Sequence, residues 1–531
     1  MRHRRLALAS AVSAFALALA FAPPSRADLA PERPLVKKPN AKPAVPAVPS
    51  AAPAAAPTAK SEPKPAPKPD APKPAPKPDA KPAEPKPTVA VAAPVPAAPA
   101  PAAPGLQIDV RRLKLDNGLR VVLSVDKTSP TVAVDVVYDV GARNEERGKS
   151  GFAHLFEHMM FQGSANVPKG DHFKLVTSHG GTLNGTTSED RTNYFEMLPQ
   201  SELALAVWLE ADRMRSLDIS QVNFENQRAV VKEEFRMRVE NAPYVPAYFR
   251  LRETVYQGYW PYEHPAIGTM KDLDAAELPW VRAFHDAYYA PNNAVVSIAG
   301  DFDPAHAEAL VRQYFGPISQ NPNVPKYEPP AVPEQKAARG VVVEDAHAKL
   351  PAFFDGWVIP QARHKDHYAL ELAAMVLTDG ESSRLHKLLV RDKAVAQEVS
   401  AEAEGQRGPD LFVVEAKIAS SAKIADVQKL VDAEIARLGR EGPTEAEMTK
   451  LKNRVRAKTI LGLQTNIARA QRLAEFELYW GDAALLNQEV VYYTQVTAAD
   501  VKRVVAKYLV PERRSRVEVK PAAAPAQEPK K

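Results

Sequence analysis

A proline-rich segment near the N-terminus limits what this chain can fold into more than any other feature. Residues 28–104 contain 24 of the 50 prolines, and alanine and lysine make up most of the rest. Such a segment has too few apolar side chains to offset the entropy lost on folding, so we expect it to be disordered. Its Lys-Pro-Ala-Pro-Lys-Pro-Asp repeats favour an extended polyproline II spacer. Folded structure is therefore expected only from about residue 105 onwards.

Residues 1–27 have the pattern of a secretory signal peptide. Three arginines (Arg2, Arg4 and Arg5) precede an apolar run over residues 6–22, and Ser25 and Ala27 are small residues at −3 and −1 of a cleavage point. The apolar run is short for a membrane span. We expect cleavage before Asp28, a secreted or periplasmic protein and no stable membrane span afterwards. An uncleaved membrane anchor remains the alternative.

The charge and the absence of cysteine exclude several classes of function. Residues 105–531 carry 54 lysines and arginines against 58 aspartates and glutamates, a net charge of −4. A nucleic-acid-binding protein needs a basic face, so no nucleic-acid partner is expected. The chain contains no cysteine, which excludes disulfides, thiol catalysis and thiolate-bound metals. A metal site would have to use histidine, aspartate or glutamate.

The order of strand and helix patterns predicts an α+β fold with two homologous lobes, each a mainly antiparallel sheet packed with helices. Asn117-Gly118 between two alternating runs predicts a hairpin. When the sequence is aligned with itself so that Gly163 falls on Gly380, His154 falls on Glu371, so we interpret the chain as a duplicated unit with chemistry in the first copy only. The predicted organisation is a signal peptide (1–27), a disordered linker (28–104), a catalytic lobe (105–316), an interlobe linker (317–339), a non-catalytic lobe (340–520) and a disordered tail (521–531).

The segment Gly151–Phe161 is predicted to be a buried helix that carries three polar groups. His154, Glu157 and His158 lie at positions i, i+3 and i+4, which share one face of a helix. Two imidazoles one turn apart can bind one zinc ion, and the carboxylate between them can take a proton from water. The alternative is a helix with hydrogen-bonded core histidines. A catalytic zinc usually has a third protein ligand, and the predicted helix that contains Glu233 and Glu234 offers two candidates.

These motifs resemble the insulinase/pitrilysin family of zinc peptidases, which includes the mitochondrial processing peptidases. The resemblance rests on the inverted His-x-x-Glu-His motif and on several further segments: Arg228–Glu234, Gly180–Gly185, Tyr288–Asn293 and Ser382–Leu385. It implies a zinc metalloendopeptidase with one Zn²⁺ per chain, bound by His154, His158 and Glu234, with Glu233 as the second choice. Glu157 would activate the attacking water. Peptide substrates would add as a strand along residues 182–187, with Asn184, Gly185 and Arg384 as substrate-binding residues.

Two positions depart from the family pattern. Gln227 stands where the family often has a second glutamate, and Gln397 stands where active members often have a substrate-binding tyrosine. The resemblance therefore implies a homo- or hetero-dimer in which a second peptidase-like subunit supplies an Arg/Tyr pair. The alternative function is a catalytically weak or inactive peptidase-like subunit that serves binding or assembly.

Overall fold

The computed structural model describes residues 107–522, so the predicted signal peptide and proline-rich linker lie outside the described residues, as does the tail from residue 523. Within residues 107–522, no helix combines the length and the apolar composition that crossing a membrane requires.

The first lobe is built on a six-stranded sheet. Its strands are β1 (Arg111–Lys114), β2 (Arg120–Val125), β3 (Thr131–Tyr138), β4 (Thr182–Thr187), β5 (Thr192–Pro199) and β6 (Ala294–Gly300), in the spatial order β1-β2-β6-β3-β5-β4. Strands β2 and β6 are parallel, and the other neighbours in this sheet are antiparallel. The predicted Asn117-Gly118 hairpin joins β1 to β2, and Gly118 has the positive φ that this turn requires. Strand β4 lies at an edge of the sheet.

The α-helices of the first half of the chain lie between and after these strands. They are α1 (Phe152–Met159), α2 (Asp171–Ser178), α3 (Leu203–Ser216), α4 (Gln221–Phe235), α5 (Val245–Val255), α6 (Trp260–Glu263), α7 (Met270–Ala275), α8 (Leu278–Tyr288) and α9 (Pro304–Phe315). A π-helical segment, Arg236–Glu240, extends α4. Apolar residues of α1, α3 and α4 join those of the sheet in one large core. Helix α1 is therefore fixed on the sheet beside β4 and β5.

The second lobe contains a five-stranded sheet with the order β7-β11-β8-β10-β9. Its strands are β7 (Arg339–Asp345), β8 (Ala352–Ile359), β9 (Ala396–Ala403), β10 (Asp410–Ile418) and β11 (Ser515–Pro521). The helices of the second half of the chain are α10 (Lys365–Thr378), α11 (Ile424–Glu441), α12 (Glu445–Gly462), α13 (Asn466–Trp480), α14 (Glu489–Gln495) and α15 (Ala498–Tyr508). A π-helical segment, His386–Asp392, lies between α10 and β9.

The two halves repeat the same order of elements, and the predicted α+β fold with two similar lobes is confirmed. The self-alignment that pairs Gly163 with Gly380 places β5 on residues 409–416, where β10 spans Asp410–Ile418. It places β4 on residues 399–404, which overlap β9 at Ala396–Ala403. It also places α1 within α10.

The lobes exchange one helix each. Helix α5, from the first half of the sequence, packs on the second sheet in a cluster that includes Leu251, Phe354 and Val517. Helix α13, from the second half, packs on the first sheet, where Leu473 joins a cluster with Val122 and Val295. The same self-alignment places α5 on residues 462–472, which overlap α13. The exchange is therefore reciprocal, and the predicted domain boundaries, which follow the sequence, remain predictions.

Candidate metal centre

Helix α1 begins at a glycine and is held there by a buried carboxylate. Gly151 has a φ of 91°, which lets the chain turn sharply into the helix. Glu145 accepts hydrogen bonds from the backbone N–H groups of Gly151 and Ala153, each at 2.8 Å. These are among the helix-terminal donors that have no partner within a helix. The apolar faces of α1 are buried in the core, so the helix has a fixed position and a fixed rotation.

Three buried side chains from α1 and α4 converge at one point. The Oε2 atom of Glu234 lies 3.2 Å from Nε2 of His158 and 3.8 Å from Nε2 of His154. One ligand atom from each residue lies within 4.8 Å of the other two. Glu234 lies 76 residues after His158 in the sequence, and α4, which packs against α1, places it beside the two histidines. The structure thus brings together the three predicted metal ligands.

The electrostatics of this cluster suit a divalent cation. Burial lowers the pKa of His154 to about 3, so its imidazole is neutral at pH 7 and can offer a lone pair. Neither of its ring nitrogens has a hydrogen-bond partner within residues 107–522. For Glu234, burial acts to raise the pKa, but the hydrogen bond with His158 and the nearby charges outweigh it and lower the pKa. Two imidazoles and one carboxylate form a ligand set that zinc commonly uses, so these residues fit zinc.

Glu157 faces the same cluster and is held by the edge strand. Its Oε2 atom accepts a 2.6 Å hydrogen bond from the hydroxyl of Thr187, the last residue of β4. Burial raises the pKa of Glu157 to about 7. A carboxyl with a pKa near neutrality can both accept and release a proton. A Cβ atom on Gly185 would lie 2.9 Å from Cγ of Glu157, so β4 approaches Glu157 at a position where a side chain would not fit.

The structure distinguishes between the two candidate glutamates on α4. Glu234 points into the cluster, whereas Glu233 is exposed and forms an ion pair with Arg236. Arg238, one turn beyond Glu234, lies 3.1 Å from its Oε1 atom. Gln227 is buried two turns before Glu234, and its amide donates to Asn226.

The predicted substrate-binding residues lie in different settings. Gly185 and Thr187 face α1, so by the alternation of a strand Asn184 faces the opposite side of the sheet. The side chain of Asn184 accepts a hydrogen bond from the backbone N–H of Gly185. Arg384 is held within the second lobe, where its Nε and Nη2 atoms donate to Glu447 and Nη2 also donates to the carbonyl of Gly442. Gln397 is an exposed residue of the edge strand β9.

Among the described residues, one further group could hold a metal ion: His172, Glu196 and Glu210, all buried. Arg213 already pairs with Glu210 through a 3.0 Å hydrogen bond from its Nε atom. Burial raises the pKa of Glu196 to about 8, so this carboxyl is neutral at pH 7. The charge of the group is therefore balanced without a metal ion, and the first cluster is the stronger candidate.

Sequence reasoning missed several residues that shape the site. Thr187 holds Glu157, Glu145 holds the start of α1, and Arg238 pairs with Glu234. The signal for Thr187 is its position at the end of residues 182–187, the segment along which the family resemblance places the substrate. Glu145 and Arg238 lie in segments whose patterns give no indication of these contacts.

Comparison with known proteins identifies the family. The sequence profile described as insulinase, peptidase family M16, matches residues 120–259, and the profile described as the peptidase M16 inactive domain matches residues 278–455. The zinc protease PqqE of Helicobacter pylori is 32% identical over 410 residues, which cover 77% of this chain and 92% of the relative. The chain belongs to the insulinase family.

A solved structure and a further relative are also similar to this chain. A crystal structure of a protease from Helicobacter pylori is 31% identical, covers 78% of this chain and 100% of its own, and superposes with a TM-score of 0.74. The probable mitochondrial-processing peptidase subunit beta of Arabidopsis thaliana is 23% identical over 414 residues, which cover 76% of each chain. The cluster of His154, His158 and Glu234 lies within residues 120–259, which match the insulinase profile, whereas the profile called inactive matches residues 278–455. The predicted family is thus confirmed, and the predicted peptidase character is supported at the level of the family.

Proposed function

We propose that this protein is a zinc metalloendopeptidase that cleaves peptides or unfolded polypeptides. The observation that carries the proposal is the convergence of His154, His158 and Glu234 in a buried cluster, with Glu157 beside it. Buried polar groups without partners are costly, and a bound cation would give Nε2 of His154, the ring nitrogen on the side of Glu234, a partner. The names of relatives, which include a zinc protease, support the same metal.

The chain's own residues supply the acid–base chemistry. When bound by the two histidines and Glu234, zinc would act as a Lewis acid that makes water a better nucleophile at neutral pH. Glu157 accepts a proton from the attacking water and passes it to the amine nitrogen that leaves when the peptide bond breaks. The hydrogen bond from Thr187 occupies Oε2 of Glu157 and leaves Oε1 for this proton. The hydrophobic surroundings of α1 exclude bulk water and keep Glu157 near the required pKa.

The substrate would bind along strand β4. Because β4 is the last strand of its sheet, one side of its backbone remains available to a peptide in extended conformation. Main-chain hydrogen bonds along β4 would place a substrate carbonyl next to Glu157, since Gly185 lies against its side chain. Asn184, on the other face of the strand, would act through its contact with the backbone of Gly185.

Three substitutions test the proposal on the full-length protein. Glu157→Gln should retain one zinc per chain, measured by inductively coupled plasma mass spectrometry, and lose nearly all cleavage of an unfolded peptide. Glu234→Gln should lose both zinc and activity. Glu233→Gln is the matched control on the adjacent, exposed position and should retain both. Full activity of Glu157→Gln, or unchanged zinc in Glu234→Gln, would contradict the proposal.

We also propose that the active protein is a dimer with a second peptidase-like subunit. The engagement of Arg384 with Glu447 supports this, because Arg384 is then not available to a substrate of its own chain. The Arabidopsis relative is, by its name, one subunit of a peptidase. Light scattering on the purified protein, alone and with a homologous subunit that carries an Arg/Tyr pair, tests this proposal. A monomer with full activity would refute it.

The predicted signal peptide supports export from the cytoplasm, so we propose that the protein acts in the periplasm or outside the cell. Fractionation of cells that express the full-length chain, with N-terminal sequencing of the product, tests both the location and the cleavage before Asp28. Recovery of the uncleaved chain in the cytoplasm would refute this part of the proposal.

A further inference from the structure

The turn after β4 connects the site to the rest of the molecule. Thr187 ends β4 and donates its hydroxyl hydrogen bond to Glu157. The next residues, Ser188–Arg191, form the turn that leads into β5, closed by a 2.9 Å bond from the N–H of Ser188 to the carbonyl of Arg191. We call residues Thr187–Thr192 the β4–β5 turn. Any movement of this turn moves the hydroxyl that orients Glu157.

Asp190, at the tip of the β4–β5 turn, is buried and holds contacts from several segments. Its Oδ1 atom accepts hydrogen bonds from the guanidinium of Arg143 at 3.0 Å and from the hydroxyl of Tyr262 at 2.8 Å. Its Oδ2 atom accepts a 3.0 Å hydrogen bond from the backbone N–H of Arg407. Arg143 and Tyr262 belong to the first half of the sequence, whereas Arg407 belongs to the second.

The second lobe reaches this turn through the loop between β9 and β10. Residues Glu404–Gly408 of this loop, which we call the docking loop, contact the first half at several points. Arg407 donates its backbone N–H to Asp190 and its side chain to Asp139 at 2.7 Å. Gly408 donates its N–H to the hydroxyl of Tyr262 at 2.8 Å. Arg252 forms two ion pairs: one at 2.7 Å with Glu404 of the docking loop and one at 2.8 Å with Glu189 of the β4–β5 turn.

The approach of the docking loop to Tyr262 is unusually close. A Cβ atom at position 408 would lie 2.6 Å from the hydroxyl oxygen of Tyr262, so glycine is the residue that permits this contact. Tyr262 is almost fully buried. Its hydroxyl accepts from Gly408 and donates to Asp190, and it therefore links the second lobe directly to the β4–β5 turn.

We propose that Tyr262 is a positioning residue for Glu157, through which the docking loop of the non-catalytic lobe fixes the β4–β5 turn and with it the Thr187 hydroxyl. The inference rests on the proposed function, since it assigns the second lobe a part in that reaction. The second lobe then contributes to catalysis without touching the substrate. Loss of the Tyr262 link lets the turn move, and Glu157 samples orientations in which proton transfer is slower.

Tyr262→Phe tests the link, and Tyr256→Phe is its matched control. The hydroxyl of Tyr256 also contacts the docking loop, at Oε1 of Gln406, and the carbonyl of Pro409 just after it, but it makes no hydrogen bond to the β4–β5 turn. We expect Tyr262→Phe to lower kcat on the order of tenfold with KM changed less than about twofold. Tyr256→Phe should lower thermal stability to a similar extent and leave kcat unchanged. An equal loss of kcat in both variants would overturn the proposal.

A double-mutant cycle with Thr187 separates positioning from general stability. Thr187→Val removes the hydrogen bond to Glu157, and Thr187→Ser should restore it because serine keeps the hydroxyl. If Tyr262 acts through Thr187, the Tyr262→Phe substitution should have little further effect on kcat in the Thr187→Val background. Additive losses would show that Tyr262 acts by another route and would overturn the proposal.

Hydrogen exchange of the zinc-loaded, full-length protein gives a readout that does not depend on activity. Peptides that cover residues 185–191 should exchange faster in Tyr262→Phe and in Gly408→Ala than in the wild type, and at the wild-type rate in Tyr256→Phe. Unchanged exchange in Tyr262→Phe overturns the inference, even if the wild type is an active peptidase. Faster exchange together with a wild-type protein that does not cleave peptides would refute the proposed function but keep the structural link.

Discussion

At the scale of single residues, the site depends on how closely β4 approaches α1. Gly185 contributes no side chain, and this absence allows the strand to lie against Glu157. Thr187, two residues later on the same face, provides the hydroxyl that orients the carboxylate. Glu157, the proposed base, is therefore positioned by the strand along which the substrate is proposed to bind.

Gly185→Ala should lower activity while zinc binding persists. The added Cβ would lie 2.9 Å from Cγ of Glu157, so either the strand or the carboxylate must shift. We expect kcat/KM to fall by about tenfold or more, because small displacements of a catalytic group are costly. Gly340→Ala, on strand β7 where a Cβ would meet no atom within 4 Å, is the control. Peptide cleavage and zinc content of both variants are the measurements, and wild-type activity in Gly185→Ala would contradict this role.

At the scale of elements, helix α1 depends on Glu145, which lies outside it. Besides the N–H groups of Gly151 and Ala153, Glu145 contacts Nε2 of His264 at 3.0 Å, and its backbone carbonyl accepts a hydrogen bond from the indole N–H of Trp260. This carboxylate is fully buried and caps the helix that presents His154 and His158. The start of the helix and the proposed metal ligands are thus parts of one unit.

Glu145→Ala should destabilise the helix and weaken zinc binding together. Two helix N–H groups would lose their acceptor, which costs ~1–3 kcal/mol for each buried unsatisfied group. The matched control is Glu146→Ala, since Glu146 is the adjacent, exposed residue whose carboxylate pairs only with Lys149 among the described ion pairs. Calorimetry of the metal-free proteins and zinc titration of each variant test this. Unchanged zinc affinity in Glu145→Ala would show that zinc binding does not depend on the hydrogen bonds that Glu145 accepts from the start of α1.

Helix α10 is joined to the docking loop by a buried charged histidine. Nε2 of His367 lies 2.7 Å from Oδ2 of Asp410, and Asp410 also accepts the backbone N–H groups of Gly405 and Gln406. Burial acts to lower the pKa of His367, but its contacts with Asp410 and Glu371 outweigh burial and raise the pKa to about 10. The docking loop is therefore held by a cationic histidine.

The free energy of unfolding should fall at alkaline pH because of His367. A raised pKa gives a contribution that is complete below the unfolded value of 6.5 and is lost as the pH rises through about 10. Between these values, His367 should lower the free energy of unfolding by ~1.4 kcal/mol per pH unit. His367→Gln should remove this slope, and His347→Gln, at an exposed position, should not. Urea unfolding at several pH values measures it, and an unchanged slope in His367→Gln would contradict the assignment.

At the scale of the whole molecule, the two sheets are joined by the exchanged helices. Ala470 of α13 is fully buried and packs with Ala133 and Ala299 of the first sheet, so three small side chains allow a helix from the second half to lie close to the first sheet. Because each sheet needs a helix from the other half of the sequence to complete its packing, we expect the lobes to unfold together.

Ala470→Leu tests this coupling. A larger side chain in a packed contact typically costs ~1–3 kcal/mol. We expect a single calorimetric transition in the wild type and a single transition at lower temperature in Ala470→Leu. Ala457→Leu, on the exposed face of α12, is the control and should leave the transition in place. Two separate transitions, of which only one shifts, would show that the lobes are independent.

The sequence predicted those features that follow a local period and missed those that depend on distant contacts. His154, Glu157 and His158 share a helical face because of their spacing, and the residues of β3 are apolar except for Thr131 and Asp135, as expected for a buried strand. Glu234 required the resemblance to a family, since nothing local connects it to a helix so far upstream. Strand β9 has the sequence AQEVSAEA and no clear alternation, and it forms because β10 pairs with it. The exchange of α5 and α13 has no counterpart in any local pattern.

The reciprocal exchange has a consequence for the covalent connection between the halves. Each half contributes a helix that completes its counterpart, as in a domain-swapped dimer of half-length chains. A protease that cuts the interlobe linker, residues 317–339, would break one backbone bond but leave α5 and α13 packed on their sheets. The two fragments should therefore copurify. The same geometry gives a reason why a second half without chemistry would be retained. Deleting that half would remove α13, which packs on the sheet of the first half.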